Sequence, residues 1–228
     1  MHRLALVPTL VAVLVAALVA AGCGGTTPKA ATTAPTTAST TAVCPQVAQA
    51  KPRNPGTLKA PATRLEPSKR WLLTFHTSCG SFVVLLQPKT SPRATASLVA
   101  LARKGFFDGT IFHRIVPGFV IQGGDPTQTG AGGPGYATVD TPAADATHYT
   151  KGVVAMAKTA AEPRGAAGSQ FFVMTADAPS LTPDYAVAGR VVAGIAVVQR
   201  IGKLGDPADP NGTPTQVVVV ERVTVRSQ

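Results

Sequence analysis

Two short apolar runs separated by a Pro-Gly turn make up residues 112–125 and constrain the fold more than any other stretch. This pattern predicts a tight hairpin of two antiparallel strands. The hairpin carries the guanidinium of Arg114, the ring of Phe119 and the amide of Gln122. Because side chains two positions apart on a strand share a face, we expect Phe112 and Arg114 to point the same way. Such a surface suits a substrate with an apolar ring beside a carbonyl oxygen.

The remainder of the domain is predicted to contain further short strands and two helices. Ser91 is predicted to be the N-cap residue of the first helix, with Pro92 at the first helical position and Gly105 ending the helix. The second predicted helix spans residues 194–201. Runs of β-branched and aromatic residues predict strands at 71–77, 81–86, 111–115, 152–157, 170–175, 186–192 and 217–225. Many strands with only two helices predict an all-β dominated fold, a closed antiparallel β-barrel.

The charge pattern argues against nucleic acid as a partner. The 228 residues include 21 Lys and Arg against 11 Asp and Glu, a formal net charge of +10. These basic residues form no dense run and are not interleaved with aromatic residues, so we interpret them as a solvated surface. The glycine-rich stretch 123–135 lacks the Gly-Lys-Ser/Thr ending and following helix of a phosphate-binding loop. We interpret it as a loop that borders a substrate groove.

Residues 1–22 are predicted to be an export signal. Arg3 gives a positive start, an apolar run follows, and small residues end the segment before Cys23. These small residues resemble the lipobox of bacterial lipoproteins, although Ala20 stands where Leu is usual. The resemblance implies that Cys23 becomes a lipid-bearing N-terminus. An uncleaved membrane helix is the alternative, weakened by its short length and by Pro8. Both interpretations place the domain at the extracytoplasmic face of the cell membrane.

Residues 23–67 begin as a Thr-, Ala- and Pro-rich sequence that cannot bury a core, and they predict a disordered tether. The folded domain is predicted over residues 68–228. Cys44 and Cys79 form an even pair, which predicts one disulfide in an oxidising compartment. Two unpaired thiols are the alternative. No cysteine pair or histidine cluster has the spacing of a metal site, so no metal is expected.

The segment 112–125 closely resembles the signature of the cyclophilin-type peptidyl-prolyl cis-trans isomerases. A second block, Gly-Ser-Gln-Phe-Phe at 168–172, agrees with that family and is preceded by a matching strand at 152–157. The two blocks follow in the family's order and at about its spacing, and the resemblance covers residues 71–225. It implies an eight-stranded closed barrel with a helix over each open end, a prolyl isomerase activity and no cofactor.

The resemblance also implies a role for each site residue. Arg114 would donate a hydrogen bond to the substrate's proline nitrogen, and Gln122 would orient Arg114 and bind the substrate backbone. Phe119 would form the apolar pocket for the proline ring together with Phe172 and Leu181. The other implied substrate-binding residues are Val120, Gly130, Ala157, Lys158, Thr159, Gln170 and Tyr185.

This sequence departs from the family pattern around the implied groove. Lys158 replaces the Asn of the familiar Ala-Asn-Ala segment, where contact to the residue before proline is largely through the main chain. Tyr185 aligns with a position that is often His, and Ser180 with one where many members carry Trp. We expect His113, which matches a family position, to be packed structure and not a proton carrier.

Two functions from different classes remain open on the sequence. The first is an exported, lipid-anchored, monomeric isomerase whose partners are proline-containing polypeptides of the envelope or the exterior. The second is a non-catalytic module in which the same groove holds proline-containing segments of a partner. A two-lobed solute-binding lipoprotein is disfavoured, because the chain is short and lacks repeated βα units.

Overall fold

A computed structural model describes residues 43–228. The predicted signal at 1–22, the predicted lipid site Cys23 and the first part of the predicted tether lie outside the described residues. Within residues 43–228, no helix is long and apolar enough to cross a membrane. In the same range, no group of three or more His, Cys, Asp or Glu side chains could hold a metal ion.

The described part contains two α-helices and several short strands. The helices are α1 (Pro92–Arg103) and α2 (Ile195–Ile201), and a short 3₁₀ helix spans Ala146–His148. The strands are β1 (Trp71–Thr77), β2 (Gly80–Leu86), β3 (Thr110–Ile111), β4 (Arg114–Val116), β5 (Val120–Gly123), β6 (Thr138–Val139), β7 (Val153–Met156), β8 (Ala166–Ala167), β9 (Phe171–Met174), β10 (Val187–Ala193) and β11 (Val219–Ser227).

The first hairpin follows directly from its side-chain alternation. Buried and half-buried residues alternate along the whole of β1, as expected for a strand with one face on the core. Leu73 pairs with Val84, and Phe75 pairs with Phe82, whose ring stacks on it at 4.9 Å. On its other side β1 pairs with β11 from Trp71 to Thr77. The predicted hairpin at 71–86 is therefore confirmed.

The main sheet is a curled half-barrel and not the closed eight-stranded barrel that was predicted. Its nine strands run in the order β3-β11-β1-β2-β10-β7-β9-β5-β4. The edge strands β3 and β4 follow each other along the chain, with only Phe112 and His113 between them. Because they continue in one direction, they cannot pair antiparallel with each other. The Ile115 N–H instead donates to the Gly212 carbonyl at 2.8 Å.

The break between β3 and β4 also overturns the predicted shared face of Phe112 and Arg114. Phe112 is buried in the interior, where its ring lies edge-on to Phe171 at 6.4 Å. Arg114 begins β4 and is only partly buried. The predicted continuous strand at 111–115 is thus two strands, and the alternation of side chains restarts after the interruption.

Helix α1 packs against β11 and β6, and α2 packs against β2. Both helices lie where the sequence predicts them, and Ser91 is the N-cap residue of α1 as predicted, but its side chain does not cap the helix. The Ser91 hydroxyl donates to the Val187 carbonyl at 2.7 Å and makes no capping bond. The carboxylate of Asp140 accepts from the Arg93 N–H at 3.0 Å and from the Ala94 N–H at 2.7 Å. It thereby satisfies first-turn donors that would otherwise lack partners.

The apolar side chains form two clusters on the two sides of the sheet. The inner core lies inside the curl and contains the stacked phenylalanines of β1 and β2 together with Leu98 and Leu101 of α1. The outer cluster is smaller and includes Val120, Phe172 and Met174, with Phe119 and other partly buried residues packed on it. The outer cluster is the one that supports the candidate site.

Residues 43–67, named here the strap, contain no helix or strand but lie along the domain. Cys44 is buried and paired with Cys79 in a disulfide, with Cα atoms 4.6 Å apart. Leu58 and Leu65 pack against the inner core. This part of the predicted tether is therefore attached to the domain and not free.

Candidate active site

The β4–β5 hairpin presents Arg114 beside a small apolar pocket. The register pairs Arg114 with Gln122 and Val116 with Val120 across the Pro-Gly turn, which confirms the predicted hairpin. Among residues 43–228, the Arg114 side chain makes one hydrogen bond, from Nε to the Asn211 carbonyl at 3.0 Å. This bond fixes the guanidinium while leaving its terminal nitrogens for a ligand. Asn211 could not be identified from local pattern, because it lies 97 residues from Arg114 in the chain.

Gln122 and Arg114 pair across the hairpin, but no hydrogen bond joins their side chains in the part of the chain that the structure describes. Gln122 Nε2 donates to Oε1 of Gln170 at 3.0 Å, and Gln170 Nε2 donates in turn to the carbonyls of Gly130 at 2.8 Å and Gly132 at 3.0 Å. The reason is the sheet order, which pairs β5 with β9 and so brings Gln170 within reach of the Gln122 amide. The two amides form a relay from the hairpin to the glycine-rich loop.

Nine of the predicted site residues surround one pocket of about 90 Å³. They are Arg114, Phe119, Val120, Gln122, Ala157, Lys158, Phe172, Leu181 and Tyr185. Val120 and Phe172 are buried, whereas Phe119 and Leu181 are half-buried at the sides. No Ser, Cys, His, Asp or Glu of the described residues lines this pocket. It can therefore hold an apolar ring next to a cation but offers no carboxylate or imidazole base.

Tyr185 is held in the pocket wall by Tyr149. The Tyr185 N–H donates to the Tyr149 hydroxyl at 3.0 Å, and that hydroxyl donates to the Tyr185 carbonyl at 3.0 Å. Burial raises the pKa of the Tyr149 hydroxyl, which keeps the donated proton in place. The Tyr185 ring stands perpendicular to Phe172, with centroids 5.2 Å apart. Tyr185 thus packs in the position where the resemblance led us to expect His.

A second, larger cavity of about 770 Å³ continues from this pocket. Gln122, Ala157 and Lys158 line both. The three predicted residues absent from the small pocket, which are Gly130, Thr159 and Gln170, line the larger one. The Lys158 ammonium stands 5.9 Å from the Tyr185 ring centroid, a cation–π distance. Together the two cavities form one groove.

The glycine-rich loop beside this groove is organised by Asp125, which the sequence analysis did not single out. The side chain is fully buried. It accepts hydrogen bonds from the backbone N–H groups of Thr127 at 2.7 Å, Thr129 at 3.0 Å, Gly130 at 2.7 Å and Gly132 at 3.1 Å. Burial raises the pKa of Asp125, but hydrogen bonds from the Thr127 hydroxyl and from the backbone N–H groups of Gly132, Thr127 and Gly130 outweigh it and hold the pKa below its ordinary value. An Asp two positions before a Thr in a glycine-rich stretch is a signal for such a turn.

His113 lies beneath the same loop, with Cδ2 3.6 Å from where a Cβ on Gly130 would stand. Burial is the largest influence on the pKa of His113 and lowers it below its ordinary 6.5; the Asp125 carboxylate opposes this, and the Arg114 guanidinium adds to it. The unfolded chain therefore binds a proton at His113 more readily than the folded chain. Protonation of His113 therefore destabilises the fold. The free energy of unfolding is unaffected by this group at pH values above its ordinary pKa, and it decreases as the pH falls from there toward the folded pKa.

We predict that the free energy of unfolding falls more steeply for the wild type than for His113→Gln between pH 7.5 and pH 5.5. Urea unfolding at several pH values measures both slopes, and Gln removes only the titrating group. His76→Gln, on β1, is the matched control and should keep the wild-type slope. Equal slopes for the wild type and His113→Gln would contradict the prediction.

Comparison with known proteins agrees with this fold. Residues 72–225 match the family described as "Cyclophilin type peptidyl-prolyl cis-trans isomerase/CLD". The chain is 36% identical over 156 residues to peptidyl-prolyl cis-trans isomerase CYP18-2 of Arabidopsis thaliana, covering 67% of this chain and 92% of that one. It is 34% identical over 169 residues to the Mycobacterium bovis protein named "Probable peptidyl-prolyl cis-trans isomerase A", covering 67% and 90%.

Solved structures give the same result. A cyclophilin-type peptidyl-prolyl cis-trans isomerase of Cryptosporidium parvum, crystallised in the presence of the dipeptide Ala-Pro, aligns with a TM-score of 0.58 and 27% identity. The alignment covers 69% of this chain and 99% of that one. The curled sheet with its two helices and lateral groove therefore defines an enzyme of the prolyl isomerase class. This chain belongs to the cyclophilin-type peptidyl-prolyl cis-trans isomerase family.

Proposed function

We propose that this protein accelerates rotation about X-Pro peptide bonds in exported or envelope polypeptides, with Arg114 as the catalytic donor. The observation that carries the proposal is that Arg114, anchored through Nε, lines the same small pocket as Phe119 and Phe172. An apolar hollow can take the proline ring, and a fixed guanidinium beside it can reach the bond that must rotate.

The reaction requires only the Arg114 donor and the small apolar pocket. Amide resonance gives the X-Pro bond its double-bond character, and uncatalysed rotation takes tens of seconds. Twisting the bond localises a lone pair on the proline nitrogen, so a donor aimed at this nitrogen stabilises the twisted state more than the planar one. Raising the rate to about 10 per second requires roughly 3–4 kcal/mol of such stabilisation. No proton transfer or covalent step is involved.

The remaining groove residues would position the peptide. Phe119, Phe172 and Leu181 would enclose the proline ring, with Val120 and Tyr185 completing the wall. The segment at 157–159 and the amides of Gln122 and Gln170 would bind the substrate backbone on the side before proline. Gln122 acts in this proposal through Gln170 and the loop carbonyls, not through Arg114.

A coupled isomerisation assay on a short Ala-Pro peptide tests the function, using the protein from residue 24 onward. We expect a rate clearly above the uncatalysed rate and proportional to enzyme concentration. A protein that binds the peptide but leaves its isomerisation rate unchanged would instead be the non-catalytic binding module. The Arg114 variant described in the Discussion identifies the donor.

The cellular location is a separate proposal, supported by the export-signal pattern of residues 1–22 and the small residues before Cys23. Removal of the signal and acylation of Cys23 would hold the domain at the extracytoplasmic face of the membrane. We predict that radioactive fatty acid labels the wild type and not Cys23→Ala. The control Cys44→Ala should remain labelled, because that cysteine is the partner of Cys79. Label retained in Cys23→Ala would exclude a lipid anchor at this cysteine.

A further inference from the structure

The strap contributes one wall of the larger cavity. Four consecutive strap residues, Asn54–Thr57, line this cavity together with Gln122, Lys158 and Gln170. The family match begins at residue 72. The groove of this chain is therefore partly built by a segment that lies outside the matched family domain.

Arg53 fixes the strap immediately before these wall residues. Its Nη2 donates to the carbonyls of Phe106 and Asp108 at 2.6 Å each and of Gly105 at 3.2 Å, all in the turn after α1. Its backbone N–H donates to the Pro126 carbonyl at 2.9 Å. A charged donor that bonds three carbonyls holds the chain more firmly than a neutral one.

A second attachment follows the wall residues directly. The Leu58 N–H donates to the Pro134 carbonyl at 2.8 Å. The strap and the glycine-rich loop are also in close contact at Gly135, because a Cβ there would stand only 2.7 Å from Thr57 Cα. A larger residue at this position would force the two segments apart. Residues 54–57 are thus anchored on both sides, and the disulfide at Cys44 fixes the strap further upstream.

The wall itself has a defined conformation. The Gly56 N–H donates to Asn54 Oδ1 at 2.9 Å, and Gly56 has φ +68°, so the four residues form a tight side-chain-closed turn. The cavity beside this turn has polar and apolar surface in about equal parts. Its polar groups include the side chains of Lys158, Glu162 and Gln170 and the backbone of the glycine-rich loop. A wall of this kind suits polar side chains and main-chain groups of a peptide.

We propose that the strap turn Asn54–Thr57 forms a subsite for substrate residues that lie two or more positions before proline, with preference for small polar side chains. This inference rests on the proposed isomerase function. With the proline ring in the small pocket, the preceding residue lies along 157–159, where the two cavities meet at Ala157 and Lys158. The chain before it then enters the larger cavity and contacts the strap. The strap makes the enzyme distinguish extended peptides from short ones.

The test compares kcat/KM for two anilide peptides, Ala-Pro-Phe and Gly-Ser-Ser-Ala-Pro-Phe. In Thr57→Trp the indole occupies part of the larger cavity, and we expect about a tenfold loss for the long peptide, mostly in KM, with the short peptide unchanged. Lys59→Trp is the matched control, since Lys59 is an exposed strap residue outside the cavity lining. It should leave both peptides at wild-type values.

A milder variant guards against distortion of the strap by the bulky side chain. Thr57→Ala should lower kcat/KM for the long peptide about threefold and leave the short peptide and the thermal midpoint unchanged, because it keeps the Asn54 bond that closes the turn. Equal effects on both peptides, or none on the long peptide, in both variants would overturn the subsite while leaving the isomerase intact. A wild-type protein inactive on both peptides would overturn the isomerase and the subsite with it.

Discussion

Replacing Arg114 by Ala is expected to lower kcat/KM for an Ala-Pro peptide about 100- to 1,000-fold. Arg114 and Lys158 are the two cationic residues among the described residues that line the small pocket. The Arg114 guanidinium is also fixed in place, because its Nε donates to the Asn211 carbonyl. A preorganised donor costs no reorganisation when the amide twists, so its removal is felt in the twisted state more than in the bound planar peptide. The loss should therefore appear in kcat more than in KM.

Arg222→Ala is the matched control, because Arg222 is an exposed residue of β11 and does not line the small pocket. It should keep the wild-type kcat/KM. Arg114→Lys retains a positive charge but not the planar fork, so we expect an intermediate rate. Wild-type activity in Arg114→Ala, measured on protein with an unchanged thermal midpoint, would remove Arg114 from the mechanism.

Replacing Asp125 by Ala is expected to lower the free energy of unfolding by about 3 kcal/mol or more. The substitution leaves four backbone N–H groups of the glycine-rich loop without their buried acceptor. The loop carbonyls of Gly130 and Gly132 hold Gln170, which holds Gln122, so the groove should loosen as well. We expect about a tenfold loss of kcat/KM, measured below the unfolding transition.

Asp177→Ala provides the control for Asp125. The Asp177 carboxylate also accepts a backbone hydrogen bond, from Lys151 at 2.7 Å, but it is exposed and holds a single donor. Its loss should cost about 1 kcal/mol and leave the rate unchanged. If urea unfolding showed the same small effect for both variants, the loop would be held by something other than the Asp125 carboxylate.

The hairpin at 112–125 shows how far local pattern alone can lead. Its register, with Arg114 opposite Gln122, follows from the Pro-Gly turn and from apolar alternation, which involve only neighbouring residues. The assembly of nine predicted residues around one pocket agrees with the family resemblance, which carries tertiary information that single residues do not. The roles assigned to these residues remain predictions until the variants are measured.

The side-chain hydrogen bonds that differ from expectation do so for one reason: residues far away in the chain supply competing hydrogen-bond partners. Ser91 is the N-cap residue of α1 as predicted, but its hydroxyl donates to the Val187 carbonyl, and the carboxylate of Asp140, 46 and 47 positions further along the chain, accepts from the first-turn N–H groups instead. Gln122 lies opposite Arg114, yet its side-chain amide donates to Gln170, which directly precedes β9. Neither hydrogen-bond partner could be predicted from neighbouring residues, because the order of strands in the sheet decides which distant residues come within reach.

The short elements and the turns between them could be predicted from the residues alone, since they depend on side-chain size, alternation and backbone freedom within a few positions. Three features required the folded chain: the opening of the barrel between β3 and β4, the bond from Arg114 to Asn211, and the strap as one wall of the groove. Those outcomes depend on contacts between residues far apart in the chain, whose geometry is fixed only when the whole sheet has curled.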